Sequence, residues 1–100
     1  LTPNLEISDL KILIVGVGRI GTKVGKIMQY LGAEVRGVDP YLSENEWKEK
    51  KIKSTTFKNG IRWCNLLTFH CPLTAETKDY FSLSTLNILR QPIYLLNVAR

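Results

Sequence analysis

The chain is 100 residues long, 44% hydrophobic and 23% charged, with a formal net charge of +5. That length suits one modest domain in which roughly two thirds of the unfolded chain's surface is buried, and the balance is ordinary for a globular protein. The charge does not point to nucleic acid, because much of it sits in Lys48, Lys50, Lys51 and Lys53, read as a solvated face with no interleaved aromatics.

Residues 1–10 read as a lead-in, with Pro3 and Asn4 breaking any helix and Ser8-Asp9 making a turn. Residues 11–100 are then expected to form a single dinucleotide-binding domain. Lys11 to Val15 is an aliphatic run without alternation, the pattern of a parallel strand buried on both faces. Gly16, Gly18 and Gly21 follow as G-x-G-x-x-G. In a dinucleotide site the first glycine allows a tight turn, the second lets backbone approach a pyrophosphate, and the third lets helix and strand pack closely. Free N–H groups at the helix N-terminus bind the phosphate, and Arg19 adds a charge. Ile20, Val24, Ile27, Met28 and Leu31 fall on one helical stripe with Lys23 and Lys26 off it, so that stripe is expected to be buried, and Gly32 ends the helix.

A second strand, Glu34 to Val38, delivers Asp39 18 residues after Gly21, where a carboxylate accepts hydrogen bonds from an adenosine ribose and disfavours a 2′-phosphate. Arg36 is the one nearby cation that would offset that repulsion by turning toward the ribose. Pro40 stops the strand, and Ser43 caps a short surface helix over Glu44 to Lys51. Lys53 to Phe57 is a short third strand, followed by a turn or brief helix through Asn59-Gly60 in which Ile61 and Trp63 cover the sheet. Asn65 to Phe69 is a fourth strand that brings His70-Cys71-Pro72-Leu73 to its carboxyl end, the edge at which open α/β sheets bind ligands. Ser82 caps a helix holding Leu83, Leu86, Ile88 and Leu89, Pro92 terminates it, and Ile93 to Leu96 is a fifth strand ending in Asn97-Val98-Ala99-Arg100. The fold expected is α/β, a Rossmann-type doubly wound parallel sheet of about five strands.

Cys64 and Cys71 lack C-x-x-C spacing and have only His70 as a nitrogen partner, so neither a metal site nor a disulfide framework is expected. Reduced intracellular thiols and a cytoplasmic location follow. No stretch is long enough to span a membrane.

The motifs GVGRIG at Gly16 to Gly21, VDPYL at Val38 to Leu42, LLTFHCPLTAET at Leu66 to Thr77 and LLNVAR at Leu95 to Arg100 resemble the nicotinamide-binding domain of the D-isomer-specific 2-hydroxyacid dehydrogenases. The resemblance implies NAD as cofactor and hydride transfer between nicotinamide and a small D-2-hydroxy or 2-oxo acid. It places Arg19 and Ile20 near the pyrophosphate, Asp39 at the ribose, and Cys71 and Pro72 along the cleft. Thr77 then contacts the cofactor, and Val98 and Ala99 lie near the nicotinamide. Arg100 matches the catalytic arginine, whose guanidinium grips a carboxylate and carbonyl with parallel donors and stabilises a developing alkoxide. His70 is not the family's acid/base histidine, and a histidine at a strand end is more often a hydrogen-bonded structural residue. That acid/base histidine and its glutamate are expected beyond Arg100, in a longer, homodimeric enzyme of which this is the cofactor domain, inactive by itself. Arg90-Gln91-Pro92 departs from the family's K-P-G turn before the fifth strand. The contrasting function is a non-enzymatic NAD-sensing or corepressor-like module of the same fold.

Overall fold

The computed structural model describes residues 6–70 and the backbone of Tyr94–Asn97. After a 3₁₀ turn at Ile7–Asp9 come β1 (Lys11–Val15), α1 (Arg19–Tyr30), β2 (Glu34–Val38), α2 (Glu44–Lys50), β3 (Lys53–Ser54), α3 (Phe57–Trp63), β4 (Leu66–Phe69) and β5 (Tyr94–Asn97). The five strands form one sheet in the order β3-β2-β1-β4-β5, and every neighbouring pair is parallel. The chain therefore winds outward from β1 to β3 and returns to the other side of β1 at β4. That reversal makes the crevice at the carboxyl ends of β1 and β4 the topological switch point, where doubly wound sheets hold ligands.

The centre of the sheet is buried from both sides, as the unalternating β1 sequence predicts. Ile12 and Ile14 face a cluster with Leu10, Val17, Ala33, Val35 and Ile52, against which Val24 and Met28 of α1 and Trp47 of α2 pack. Leu13 and Val15 face the opposite cluster with Val38, Ile61, Cys64, Leu67 and Phe69, covered by Phe57 and Trp63 of α3. Each fully buried aliphatic side chain in β1 contributes about 1.5–3 kcal/mol, so the strand anchors both layers.

The packing face of α1 differs from the expected stripe. Gly21 and Gly25 are its buried residues, while Ile20, Ile27 and Leu31 stay 64%, 58% and 49% exposed. The two glycines lie about a third of a turn around the helix from those three side chains. They win because they allow contact closer than any side chain permits. A Cβ on Gly21 would collide with the carbonyl oxygen of Gly16, and one on Gly25 would meet Ile52 Cδ1 at 2.9 Å and Ile14 Cδ1 at 3.0 Å. The glycine motif predicts the close approach at Gly21 and the stripe predicts Val24 and Met28, but hydrophobic periodicity counts glycine as neutral and so misses Gly25. α1 ends as expected at Gly32, whose φ is 104°.

β3 is also shorter than the expected Lys53 to Phe57, because the Thr56 side chain accepts the Asn59 N–H and starts α3 at Phe57. Ser43 caps α2 as expected, its Oγ accepting from Glu46 N while the Glu46 carboxylate accepts from Ser43 N. The helix expected after Ser82, with Pro92 as its stop, lies outside the described residues.

Closeness at Gly21 is backbone against backbone, whereas at Gly25 it involves the tips of flexible side chains. Gly21→Ala is expected to cost about 2–3 kcal/mol through overpacking. At Gly25 the Ile tips give way and alanine's helix preference, up to about 1 kcal/mol, offsets most of the strain. Urea denaturation of the two variants checks this; equal losses would mean that the Gly16 carbonyl yields as easily as an isoleucine methyl.

Candidate functional site

The glycine loop sits at the carboxyl end of β1, where Gly16 adopts a φ of 91°, a left-handed conformation that disfavours a side chain. Its N–H donates to Val38 O at 2.8 Å and so extends the β1–β2 ladder by one bond. Val17 is fully buried, with its N–H donating to Asp39 Oδ2 at 2.9 Å. The Val17 carbonyl accepts from Thr22 Oγ1 at 3.3 Å. Both faces of the Val17 peptide environment are thereby held, one by the end of β2 and the other by α1.

Gly18 is the N-cap of α1, with no side-chain capping bond and no acidic residue in the first turn. Within the helix the first donor engaged is Thr22 N–H, to Gly18 O at 2.9 Å, so the preceding N–H groups of Arg19, Ile20 and Gly21 are the ones a helix leaves for an outside acceptor. A Cβ on Gly18 would meet no protein atom within 4 Å, and Gly18, Arg19 and Ile20 are all exposed. No packing contact in the fold requires glycine at this position, and its openness leaves the helix N-terminus accessible from outside. α2 and α3, by contrast, are closed by Ser43 and Thr56.

Asp39 lies directly after β2 and is half-buried. Besides the Val17 N–H, its carboxylate takes the Tyr41 N–H on Oδ1 at 3.0 Å. A carboxylate has about four lone-pair sites, so two remain for a ligand. Beside it opens a cleft of about 470 Å³ lined by Asp39, Pro40, Trp47, Thr55, Thr56 and Phe57, within the size range of small-ligand sites. Trp47, Thr55 and Phe57 are wall residues that the sequence reading did not assign to a site; the only signal for them was their position just after the strand that carries the acid. Arg36 does not turn toward this cleft. Its guanidinium lies 4.2 Å from the centre of the Trp63 ring, stacked on α3.

At the same sheet edge, Phe69 of β4 pairs with Asn97 of β5, and His70 N–H continues the ladder to Val15 O at 2.8 Å. The imidazole Nε2 is 2.9 Å from Thr68 Oγ1, Nδ1 is buried with no hydrogen-bond partner among the described residues, and desolvation lowers the pKa below its ordinary value. Burial pushes the Cys64 thiol up to about 11, which keeps it protonated and unreactive within the α3 cluster. Among the described residues, no group of three or more His, Cys, Asp or Glu gathers as a metal ion requires, and no helix is long and apolar enough to cross a membrane.

The structure thus brings together Gly16, Gly18, Arg19, Ile20, Gly21 and Asp39 around one sheet edge. Cys71, Pro72, Thr77, Val98, Ala99 and Arg100 lie outside the described residues. The open helix terminus, the unobstructed Gly18 and the acid beside a cleft fit a dinucleotide.

The family model for "D-isomer specific 2-hydroxyacid dehydrogenase, NAD binding domain" matches residues 2–100. The chain belongs to this family. It is 34% identical over 87 residues to a D-3-phosphoglycerate dehydrogenase of Bacillus subtilis, covering 87% of this chain and 17% of that protein. It is 30% identical over 94 residues to a D-lactate dehydrogenase of Streptococcus pyogenes, covering 94% of this chain and 28% of that one. The fold superposes on Aquifex aeolicus D-lactate dehydrogenase complexed with NAD and lactic acid, with a TM-score of 0.83 at 27% identity over 96% of this chain and 28% of that one. The chain therefore spans less than a third of the length of these relatives, and the part it spans is their NAD-binding domain.

Because Asp39 carries a buried backbone N–H, its removal should be felt before any ligand is added. Asp39→Ala is expected to lower the stability of the cofactor-free protein by about 1–3 kcal/mol, the cost of leaving a buried donor unpaired. Denaturant titration without nucleotide checks this; an aspartate serving a ligand alone would leave that stability unchanged.

Proposed function

We propose that the full-length protein is an NAD-dependent oxidoreductase that passes hydride between nicotinamide and C2 of a small D-2-hydroxy or 2-oxo acid. The observation that carries this reading is the pairing of an open α1 terminus at the glycine loop with Asp39 at the end of β2, both on the switch-point edge. Relatives named as dehydrogenases favour the enzyme over an interaction module.

In this reading the N–H groups of Arg19, Ile20 and Gly21 receive the pyrophosphate, and Gly18 leaves room for its oxygens. The two unoccupied acceptor positions of Asp39 take the ribose hydroxyls, and the adenine enters the cleft between Trp47 and Phe57. Bound NAD supplies the hydride carrier. Cys71, Pro72 and Thr77 continue the cofactor contacts, Val98 and Ala99 flank the nicotinamide, and Arg100 holds the substrate carboxylate and carbonyl. Proton transfer at the substrate oxygen is assigned to a residue beyond Arg100. His70 is not given that role, because the motif it stands in resembles one whose histidine is not the acid/base, and its Nε2 contact with Thr68 fits a structural residue. The same reading makes the full-length protein a cytoplasmic homodimer, with the exposed apolar side chains Ile20, Ile27 and Leu31 as surface that a second copy would cover.

With Arg36 committed to Trp63 and no lysine or arginine among the described residues lining the cleft, the repulsion between Asp39 and a 2′-phosphate is not offset from the cleft walls. NADH should therefore bind about tenfold or more tightly than NADPH, given about 1–3 kcal/mol for each hydrogen bond lost to a charged group. Calorimetric titration of both cofactors, followed by turnover of the full-length protein on a panel of 2-oxo acids, is the test. Equal cofactor affinities would remove Asp39 from the ribose; tight NADH binding without turnover on any oxo acid would restore the non-enzymatic reading.

A further inference from the structure

Lys50 stands apart from the other lysines of its segment. Lys48, Lys51 and Lys53 are exposed, but Lys50 is half-buried and its ammonium donates to Thr22 Oγ1 at 3.0 Å. The Thr22 hydroxyl then points its single proton at Val17 O, 3.3 Å away. The direction of this relay is fixed, since an ammonium can only donate, leaving the hydroxyl to accept from Lys50 and donate onward. Polarisation by the ammonium strengthens the second bond.

The charge is placed against the ordinary preference of a helix. Thr22 lies in the first turn and a half of α1, the positive end of its macrodipole, where a cation is disfavoured and an anion favoured. A lysine held there by a defined hydrogen bond strengthens the positive field at the site, which turns favourable when a phosphate arrives.

We propose that Lys50 is a positioning residue for the pyrophosphate: through Thr22 it fixes the Val17 carbonyl, and its charge reinforces the N-terminus of α1 from behind without touching the ligand. This rests on the cofactor-binding reading above and adds to it a residue from α2 that no glycine-loop motif includes.

The test compares ADP-ribose, which carries the pyrophosphate, with adenosine, which does not, on the full-length protein. Lys50→Met should weaken ADP-ribose about five- to tenfold, the scale of one partly screened charge acting on the two charges of a pyrophosphate, and leave adenosine unchanged. Lys50→Arg, which retains the charge, should recover most of the loss. Equal weakening of both ligands, no change in either, or failure of the arginine variant to recover affinity would overturn the positioning role. If the unaltered protein binds neither NADH nor ADP-ribose, the cofactor reading fails and the proposal with it; normal binding by the unaltered protein with an indifferent Lys50→Met overturns the proposal alone.

Discussion

The hydrogen bond from Val17 N–H to Asp39 Oδ2, 2.9 Å long, joins the parts of the site that the sequence separates by 22 positions. Val17 is the middle of the turn between β1 and α1, and a turn of this kind has no ladder partner of its own. Without the carboxylate, its buried N–H would be orphaned at a cost that a short loop cannot recover from its few contacts. With it, the end of β2 dictates where the loop runs, and the Tyr41 N–H on the other carboxylate oxygen dictates where the chain leaves β2. One side chain thus sets the shape of the phosphate loop and the mouth of the neighbouring cleft.

That arrangement depends on how closely α1 approaches the sheet. The Gly21 contact with the Gly16 carbonyl and the Gly25 contact with Ile14 and Ile52 bring the helix down onto β1, which aims its N-terminus over the sheet edge. A helix packed through Ile20, Ile27 and Leu31 would stand farther off and rotate its first-turn N–H groups away from that edge. The glycine spacing therefore serves geometry first. Binding follows from where the freed donors point.

The main architecture was legible because it is written in local patterns. The unalternating β1, the Glu34–Val38 strand, the Ser43 cap and the glycine at the end of α1 all appear where the residues predict them. What sequence patterns could not resolve were effects that depend on proximity. The glycine motif predicts the close approach at Gly21, but Gly25 carries no hydrophobic weight in the periodicity, so its part in the buried face of α1, and the exposure of Ile20, Ile27 and Leu31, show only in the fold. Lys50 was read with its lysine neighbours as solvated, because only the fold brings Thr22 within reach. Arg36 is free in sequence terms to turn toward the ribose, but α3 supplies Trp63 as a stacking partner. Asp39 was assigned to a ligand; that it also builds the loop follows from a hydrogen bond that no spacing rule encodes.

Amide hydrogen exchange at Val17 in the cofactor-free protein reads out whether the Val17 peptide is fixed before any nucleotide arrives. If Asp39 holds this N–H as described, its protection should approach that of the β1 core amides, well above that of an ordinary exposed turn. Exchange as fast as that of the exposed Gly18 and Arg19 amides, with protection gained only on adding NADH, would show that the ligand rather than Asp39 orders the loop.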